Sequence, residues 1–162
     1  EMKDIIGPRI ANIDLDVAIL GNVDHIFGRT EPFVGYTDTK NPACLSGCLY
    51  LMDAGAKHQV YSSFKRLYNM IPEEGRKEWF IKNYNRFSPF VGSDQSWQTE
   101  ILGEGLPRFG QTDRIWDFWS IEELPGLPED ARVVFCNGMR RDLSMPSIQA
   151  KHPWVKEYWG HD

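Results

Sequence analysis

The sequence predicts a protein of the α/β class, with a mixed sheet flanked by helices. Its 162 residues suit a single domain, residues 1–162, because domains have on the order of 150 residues. Apolar runs of strand length alternate with stretches whose apolar residues recur at helical spacing, an order typical of sheets covered by helices. Hydrophobic residues make up 41% of the chain and aromatic residues 13%, which is enough to build one core.

Apolar runs that end at turn residues predict the strands. Residues 10–13 lead into the first predicted strand, residues 14–20, which contains two carboxylates and ends at the turn pair Gly21-Asn22. We expect this to be a buried strand whose end carries acid. Further strands are predicted at residues 33–36, 45–52, 115–119 and 131–136, after which Asn137-Gly138 turns the chain into a loop.

Apolar spacing and helix-terminal residues predict the helices. Asp53 is expected to cap an amphipathic helix within residues 54–70. Pro72 suits the first turn of the next helix, because the missing N–H of proline costs nothing there. Ser93 is the expected N-cap of a short helix over residues 94–102.

Charge and cysteine content exclude several classes of function. Lys and Arg number 18 against 23 Asp and Glu, a net charge of −5, so the basic stripe of a nucleic-acid-binding protein is absent. No apolar run reaches the roughly 20 residues that span a bilayer, so no membrane span is expected. The cysteines number three, and Cys44 and Cys48 have CxxxC spacing, unlike the CxxC of zinc sites. We therefore expect free, packed thiols and a reducing, cytoplasmic location.

Asp14 and Asp16 are the clearest candidates for a site. Residues i and i+2 of a strand share a face, so the two carboxylates would lie side by side while Leu15 points into the opposite layer. Two adjacent like charges require a cation between them, and Mg²⁺ or Mn²⁺ typically binds one or two carboxylates together with substrate phosphates. The alternative interpretation is a strand end at which both carboxylates are simply hydrated.

Two other kinds of site also contain carboxylates at this spacing. A calcium-binding EF-hand loop is excluded, because the positions that need Gly and Glu, counted from Asp14, hold Ile19 and His25. A phosphatase of the haloacid-dehalogenase type also has DxD after a strand, usually followed by Gly and Thr. Val17 and Ala18 stand there instead, which leaves that enzyme class a weak rival.

Four segments, in order along the chain, resemble GT-A-fold glycosyltransferases of the DXD type, as in bacterial and phage members similar to the glycogenin and galactosyltransferase group. Residues 13–27 resemble the DXD region, and residues 45–52 resemble the strand beside the donor sugar. Residues 93–97, Ser-Asp-Gln-Ser-Trp, are similar to the helix start near the acceptor. Residues 132–155, which include His152-Pro153-Trp154, are similar to the ending of such enzymes.

The resemblance implies transfer of a sugar from a UDP- or GDP-linked donor to a glycan or another acceptor, with Mn²⁺ or Mg²⁺ as cofactor. It makes Asp14, Asp16 and Asn137 the metal ligands, although the family often has His at the last position. The implied residues that bind diphosphate, sugar or acceptor are Arg140, Arg141, Ser46, Gly47, Asp94, Gln95, Trp97 and Gly138. Asp94 would also act at the reacting carbon, as the catalytic residue.

The resemblance begins late in the family's domain. Only 13 residues precede Asp14, whereas such enzymes have the strands that hold base and ribose before the DXD motif. We therefore expect the C-terminal part of a GT-A-like domain, without its N-terminal nucleotide-binding strands. The absence of those strands would expose a sheet edge, and we expect self-association or a partner to cover it. A noncatalytic carbohydrate-binding or subunit-interaction module derived from that fold is the alternative function.

Overall fold

The computed structural model describes residues 7–37, 42–83, 94–103, 105–122, 124–136 and 143–159. Its strands are β1 (Arg9–Ile13), β2 (Val17–Ile19), β3 (Phe33–Thr37), β4 (Leu45–Asp53), β5 (Arg108–Phe109), β6 (Ile115–Asp117) and β7 (Val133–Phe135). Its helices are α1 (Asp24–Phe27), α2 (His58–Met70), α3 (Arg76–Asn83), α4 (Asp94–Leu102), α5 (Phe118–Glu122), α6 (Pro146–Lys151) and α7 (Pro153–Trp159). Short 3-10 helices occupy Glu73–Gly75 and Gln111–Asp113.

Within the described residues the strands form two sheets, and each sheet mixes parallel and antiparallel pairs. The first has the order β1-β4-β3-β5, in which β4 is antiparallel to both neighbours and β5 is parallel to β3. The second has the order β2-β7-β6, with β2 antiparallel and β6 parallel to β7. The prediction of an α/β protein with a mixed sheet is confirmed at this level. In this part of the chain β1 is an edge strand, so its cover by a partner stays a prediction.

Strand β7 lies between two groups of buried side chains, because alternate residues of a strand point to opposite faces. Val133 and Phe135 pack with buried side chains of the first sheet, among them Val34 and Leu49. Val134 and Cys136 face the other way. They pack with Phe118 of α5, with Leu143 before α6, and with Trp154 and Val155 of α7. Strand β7 is therefore packed on both faces.

The prediction that residues 14–20 form one strand is wrong. The strand conformation stops after Ile13 and resumes at Val17, because β1 pairs with β4 in one sheet and β2 pairs with β7 in the other. The chain therefore crosses between sheets at residues 14–16. Leu15 is consequently 96% exposed instead of pointing into a layer of the core.

Most other predicted elements are present, with one wrong cap. Asp53 does not cap a helix; it ends β4 and accepts a hydrogen bond from Arg9 Nη1 at 2.9 Å, while α2 begins at His58. The helix predicted after Pro72 is confirmed, with a 3-10 first turn. The helix over 94–102 is confirmed as α4, and its expected cap, Ser93, lies outside the described residues. The expected packed thiols are confirmed too, since all three cysteines are buried and none forms a disulfide.

Gly35 fills a position in β3 where no side chain fits. A Cβ atom there would overlap Leu45 Cδ2 and lie 3.2 Å from Phe33 Cε1, beside an irregularity in the β3–β4 register. We expect Gly35→Ala to lower the free energy of unfolding by about 1–3 kcal/mol, the usual cost of overpacking. Gly75→Ala is the matched control, because a Cβ atom at Gly75 meets nothing within 4 Å. Equal urea midpoints for the two variants would contradict this account.

An ion-pair cluster around Arg29 makes the free energy of unfolding depend on pH. Arg29 pairs with Glu31 through Nη2 and Oε1 at 2.6 Å and with Asp113 through Nη1 and Oδ1 at 2.8 Å. The hydrogen bonds from Arg29 lower the pKa of Glu31 from 4.5 to about 2. Because the folded state holds this carboxylate ionised, its contribution is complete above pH 4.5 and is lost as pH falls toward 2.

The matching experiment compares the wild-type chain with Glu31→Gln by urea unfolding across this pH range. The wild-type advantage should be largest at neutral pH and should shrink as the solution approaches pH 2. A wild-type advantage that is constant across the range would show that the ionised Glu31 carboxylate contributes nothing to stability.

Candidate functional site

The crossing between the two sheets, Asp14-Leu15-Asp16, is the acid loop. Both of its ends are fixed by backbone hydrogen bonds. The Asp14 N–H donates to the Cys48 carbonyl of β4 at 2.9 Å, and the N–H of Cys136, just after β7, donates to the Asp16 carbonyl at 3.0 Å. The loop is therefore attached to both sheets, while its side chains are exposed.

Buried residues of β4 lie directly beneath the acid loop. Burial, together with a hydrogen bond to Asp14 and the charges of Asp14 and Asp16, raises the pKa of the Cys48 thiol to about 12, against a lowering contribution from Ser46. Ser46 is itself buried, and its hydroxyl accepts a hydrogen bond from the Cys48 N–H at 3.3 Å. Cys48 is therefore a neutral thiol at neutral pH in the metal-free protein.

Helix α4 meets the same stretch of β4. The Gln95 carboxamide lies against Gly47, where a Cβ atom would be 3.1 Å from Gln95 Nε2. Thr99 joins the same turn of α4 to β4. Its hydroxyl accepts from the Leu45 N–H at 2.9 Å and donates to the backbone carbonyl of Gln95 at 2.8 Å. On the other side, Asn12 Nδ2 donates to the Gly47 carbonyl at 3.2 Å. Gly47 is thus the position at which β1, β4 and α4 converge.

The site residues suggested by the sequence fall into three groups according to where they lie. Asp14 and Asp16, with Ser46, Gly47 and Gln95, belong to the acid loop and the adjoining part of β4 and α4. Trp97 points elsewhere: its Nε1–H donates to the Val60 carbonyl of α2 at 3.0 Å, and its ring meets Phe64 edge-on. This packing of α4 on α2 gives Trp97 a structural role in the described residues.

The third group consists of residues or side chains outside the described part of the structure. Asp94 begins α4, but its side chain is outside the described part of the structure. Asn137, Gly138, Arg140 and Arg141 also lie outside the described residues; they follow Cys136, which is tethered to the acid loop.

The two carboxylates suit a hard divalent cation. Among the described residues neither Asp14 nor Asp16 has an ion-pair partner. The searched residues contain no group of three His, Cys, Asp or Glu side chains that could hold a metal. Residues 14–16 are not a strand, so the shared strand face expected of the two carboxylates is absent. An ion held by both would take its remaining ligands from a bound molecule or from water, the coordination that Mg²⁺ accepts beside phosphates.

Sequence reasoning missed three residues that build this site. Asn12 positions Gly47, Thr99 joins α4 to β4 by accepting from the Leu45 N–H, and Cys136 tethers Asp16. The signal for Asn12 was its polar side chain two residues before Asp14, inside an apolar segment. The contacts of Thr99 and Cys136 join residues distant in sequence and left no such local signal.

No family model matches this chain, and no curated protein matches it. In the described part of the chain, no helix is both long enough and apolar enough to cross a membrane. The convergence of acid loop, Gly47 and Gln95 is therefore the basis on which a function can be proposed.

Proposed function

We propose that this chain is a nucleotide-sugar glycosyltransferase, or the C-terminal part of one, with a GT-A-like fold. Asp14 and Asp16 would hold Mn²⁺ or Mg²⁺, and with it the diphosphate of a UDP- or GDP-linked sugar. The observation that carries the proposal is the acid loop, whose two carboxylates are exposed on a backbone fixed to both sheets. These two hydrogen bonds continue the β1–β4 and β2–β7 ladders into the loop and fix the points at which it leaves each sheet.

The chemistry of sugar transfer explains why this geometry is useful. When bound, a divalent ion stabilises the negative charge that develops on the departing diphosphate. The role of Asp14 and Asp16 is to offer oxygen ligands without rearrangement, because the hydrogen bonds to Cys48 and Cys136 hold the loop in place. The neutral Cys48 thiol adds no further charge beneath the pair.

Gly47 and Gln95 support a sugar-binding role at the same place. A carboxamide both donates and accepts hydrogen bonds, as the hydroxyl groups of a sugar require. Thr99 holds the Gln95 backbone, because its hydroxyl donates to the Gln95 main-chain carbonyl, and the carboxamide of Gln95 lies against Gly47. Gly47 leaves room for the carboxamide beside the acid loop.

Calorimetry with UDP and GDP tests this function. We expect one of the two nucleotides to bind in the presence of Mn²⁺ and to lose its binding heat when a chelator removes the ion. The corresponding monophosphate should bind much more weakly, because it lacks the second phosphate that an ion on the acid loop would engage. A nucleotide binding heat that the chelator leaves unchanged would contradict the proposal.

The other candidate functions predict different results in parallel assays. A noncatalytic carbohydrate-binding module would bind glycans with no requirement for nucleotide or Mn²⁺. A phosphatase would hydrolyse a simple aryl phosphate and would lose that activity on Asp14→Asn substitution.

A further inference from the structure

Helix α2 exposes its aromatic side chains. None of its residues is fully buried, although Val60 and Leu67 are half-buried. Tyr61, Phe64 and Tyr68 are 68%, 41% and 41% exposed, and their spacing places them along one flank of the helix. These three residues form the aromatic flank. Contiguous exposed apolar surface on a protein commonly marks a site of interaction.

Neighbouring helices hold the aromatic flank in place. Phe64 stacks on Phe80 of α3 with ring centroids 5.9 Å apart, and its edge contact with Trp97 of α4 spans 6.0 Å. Tyr68 also meets Phe80, at 6.3 Å. Because these contacts come from two other helices, the flank is a preformed surface.

Positive charge accompanies the aromatic flank. Lys65 Nζ lies 5.9 Å from the centre of the Tyr61 ring, and the guanidinium carbon of Arg76 lies 3.9 Å from the centre of the Tyr68 ring. Residues 57–83 contain six Lys and Arg against three Glu, a local charge of +3 in a chain whose net charge is −5. The remainder of the chain therefore carries −8, so the stretch of chain that contains the aromatic flank has a positive charge opposite in sign to that of the rest.

We propose that the aromatic flank docks on the surface of an anionic lipid bilayer, with α2 lying in the plane of the interface. Tyrosine and phenylalanine rings suit the boundary between headgroups and acyl chains, and nearby Lys and Arg attract lipid phosphates. The docking does not depend on the proposed glycosyltransferase activity.

Vesicle flotation tests the docking. We expect the chain to float with vesicles of phosphatidylcholine and phosphatidylglycerol, and to bind pure phosphatidylcholine vesicles about tenfold more weakly, because each cation near an anionic surface strengthens binding. Added salt should weaken the binding. The double variants Tyr61→Ser/Tyr68→Ser and Lys65→Glu/Arg66→Glu should each lose about tenfold in affinity for the anionic vesicles.

Matched controls come from α7, where Tyr158 and Lys156 are also exposed. Tyr158→Ser and Lys156→Glu should keep wild-type binding, and a cooperative thermal transition should show that every variant is folded at the temperature of the assay. Absence of flotation, or an equal loss in the α7 variants, would overturn the proposal. It would also be overturned if the flank variants instead abolished a dimer seen by sedimentation, or if heparin bound as well as vesicles without needing the tyrosines. Intact Mn²⁺-dependent nucleotide binding in the flank variants would separate this result from the fate of the proposed enzyme function.

Discussion

Replacing Asp14 or Asp16 by asparagine should weaken Mn²⁺-dependent nucleotide binding by about a hundredfold, or about 2.7 kcal/mol. Each substitution keeps the size of the side chain but removes one of the charges that a hard cation requires. Because the carboxylates are exposed, and the loop is held through backbone atoms, stability should change little. Calorimetry gives the binding constant, and thermal unfolding verifies that each variant is folded.

Asp130→Asn is the control for this pair, since Asp130 is an exposed carboxylate outside the acid loop. It should bind the Mn²⁺–nucleotide complex as the wild type does. If Asp130→Asn weakened binding as much as Asp14→Asn did, the effect would reflect the net charge of the chain and the assignment of the acid loop would fail.

Truncation of Phe135 should cause a large loss of stability. Its side chain is fully buried in β7, and its ring lies 5.2 Å from that of Tyr36, which links the two sheets. Phe135→Ala removes this contact and leaves a cavity, so we expect the free energy of unfolding to fall by about 3–5 kcal/mol. The residue that follows, Cys136, tethers Asp16, so nucleotide binding should weaken as well.

Urea unfolding measures the loss, and Phe27→Ala serves as its control. Phe27 in α1 is 46% exposed, so its truncation should change stability much less. Equal destabilisation by the two substitutions would mean that Phe135 does not join the sheets as described.

Local patterns in the sequence predicted the class of the fold better than its connections. The alternation of apolar runs with helical spacing correctly predicts β3, β4 and α2, and a helix-terminal residue, Ser93, correctly predicts α4. Residues 10–20 were misjudged, because an apolar pattern continues through the acid loop while hydrogen bonding changes from β4 to β7. That change depends on strands far along the chain, which periodicity does not reveal.

The helices α6 and α7 were missed although a local signal existed. Pro146 and Pro153 each begin a helix, as proline does readily in a first turn. The same reasoning predicts the helix after Pro72, whereas no element is predicted beyond the loop that Asn137-Gly138 begins. Strand β5, with two residues, was too short for any periodicity to show.

The candidate site divides in the same way. Asp14, Asp16, Gly47 and Gln95 were selected by local motifs, and the structure places Gln95 against Gly47 beside the acid loop. Trp97 was selected on the same grounds, yet its indole bonds to α2. The direction of a helix side chain depends on the helix packed beside it, and no motif in α4 contains that information.

Paramagnetic broadening of backbone amide signals tests the assignment of the acid loop most directly. Mn²⁺ added with UDP or GDP should broaden the signals of Asp16, Gly47 and Cys136, with the Mg²⁺ complex as the diamagnetic reference. The turn at residues 54–57 lies past the far end of β4, more than about 17 Å along the strand from Cys48, and its signals should remain sharper. Broadening centred on another part of the chain, or no site-specific broadening, would contradict a metal-nucleotide site on Asp14 and Asp16.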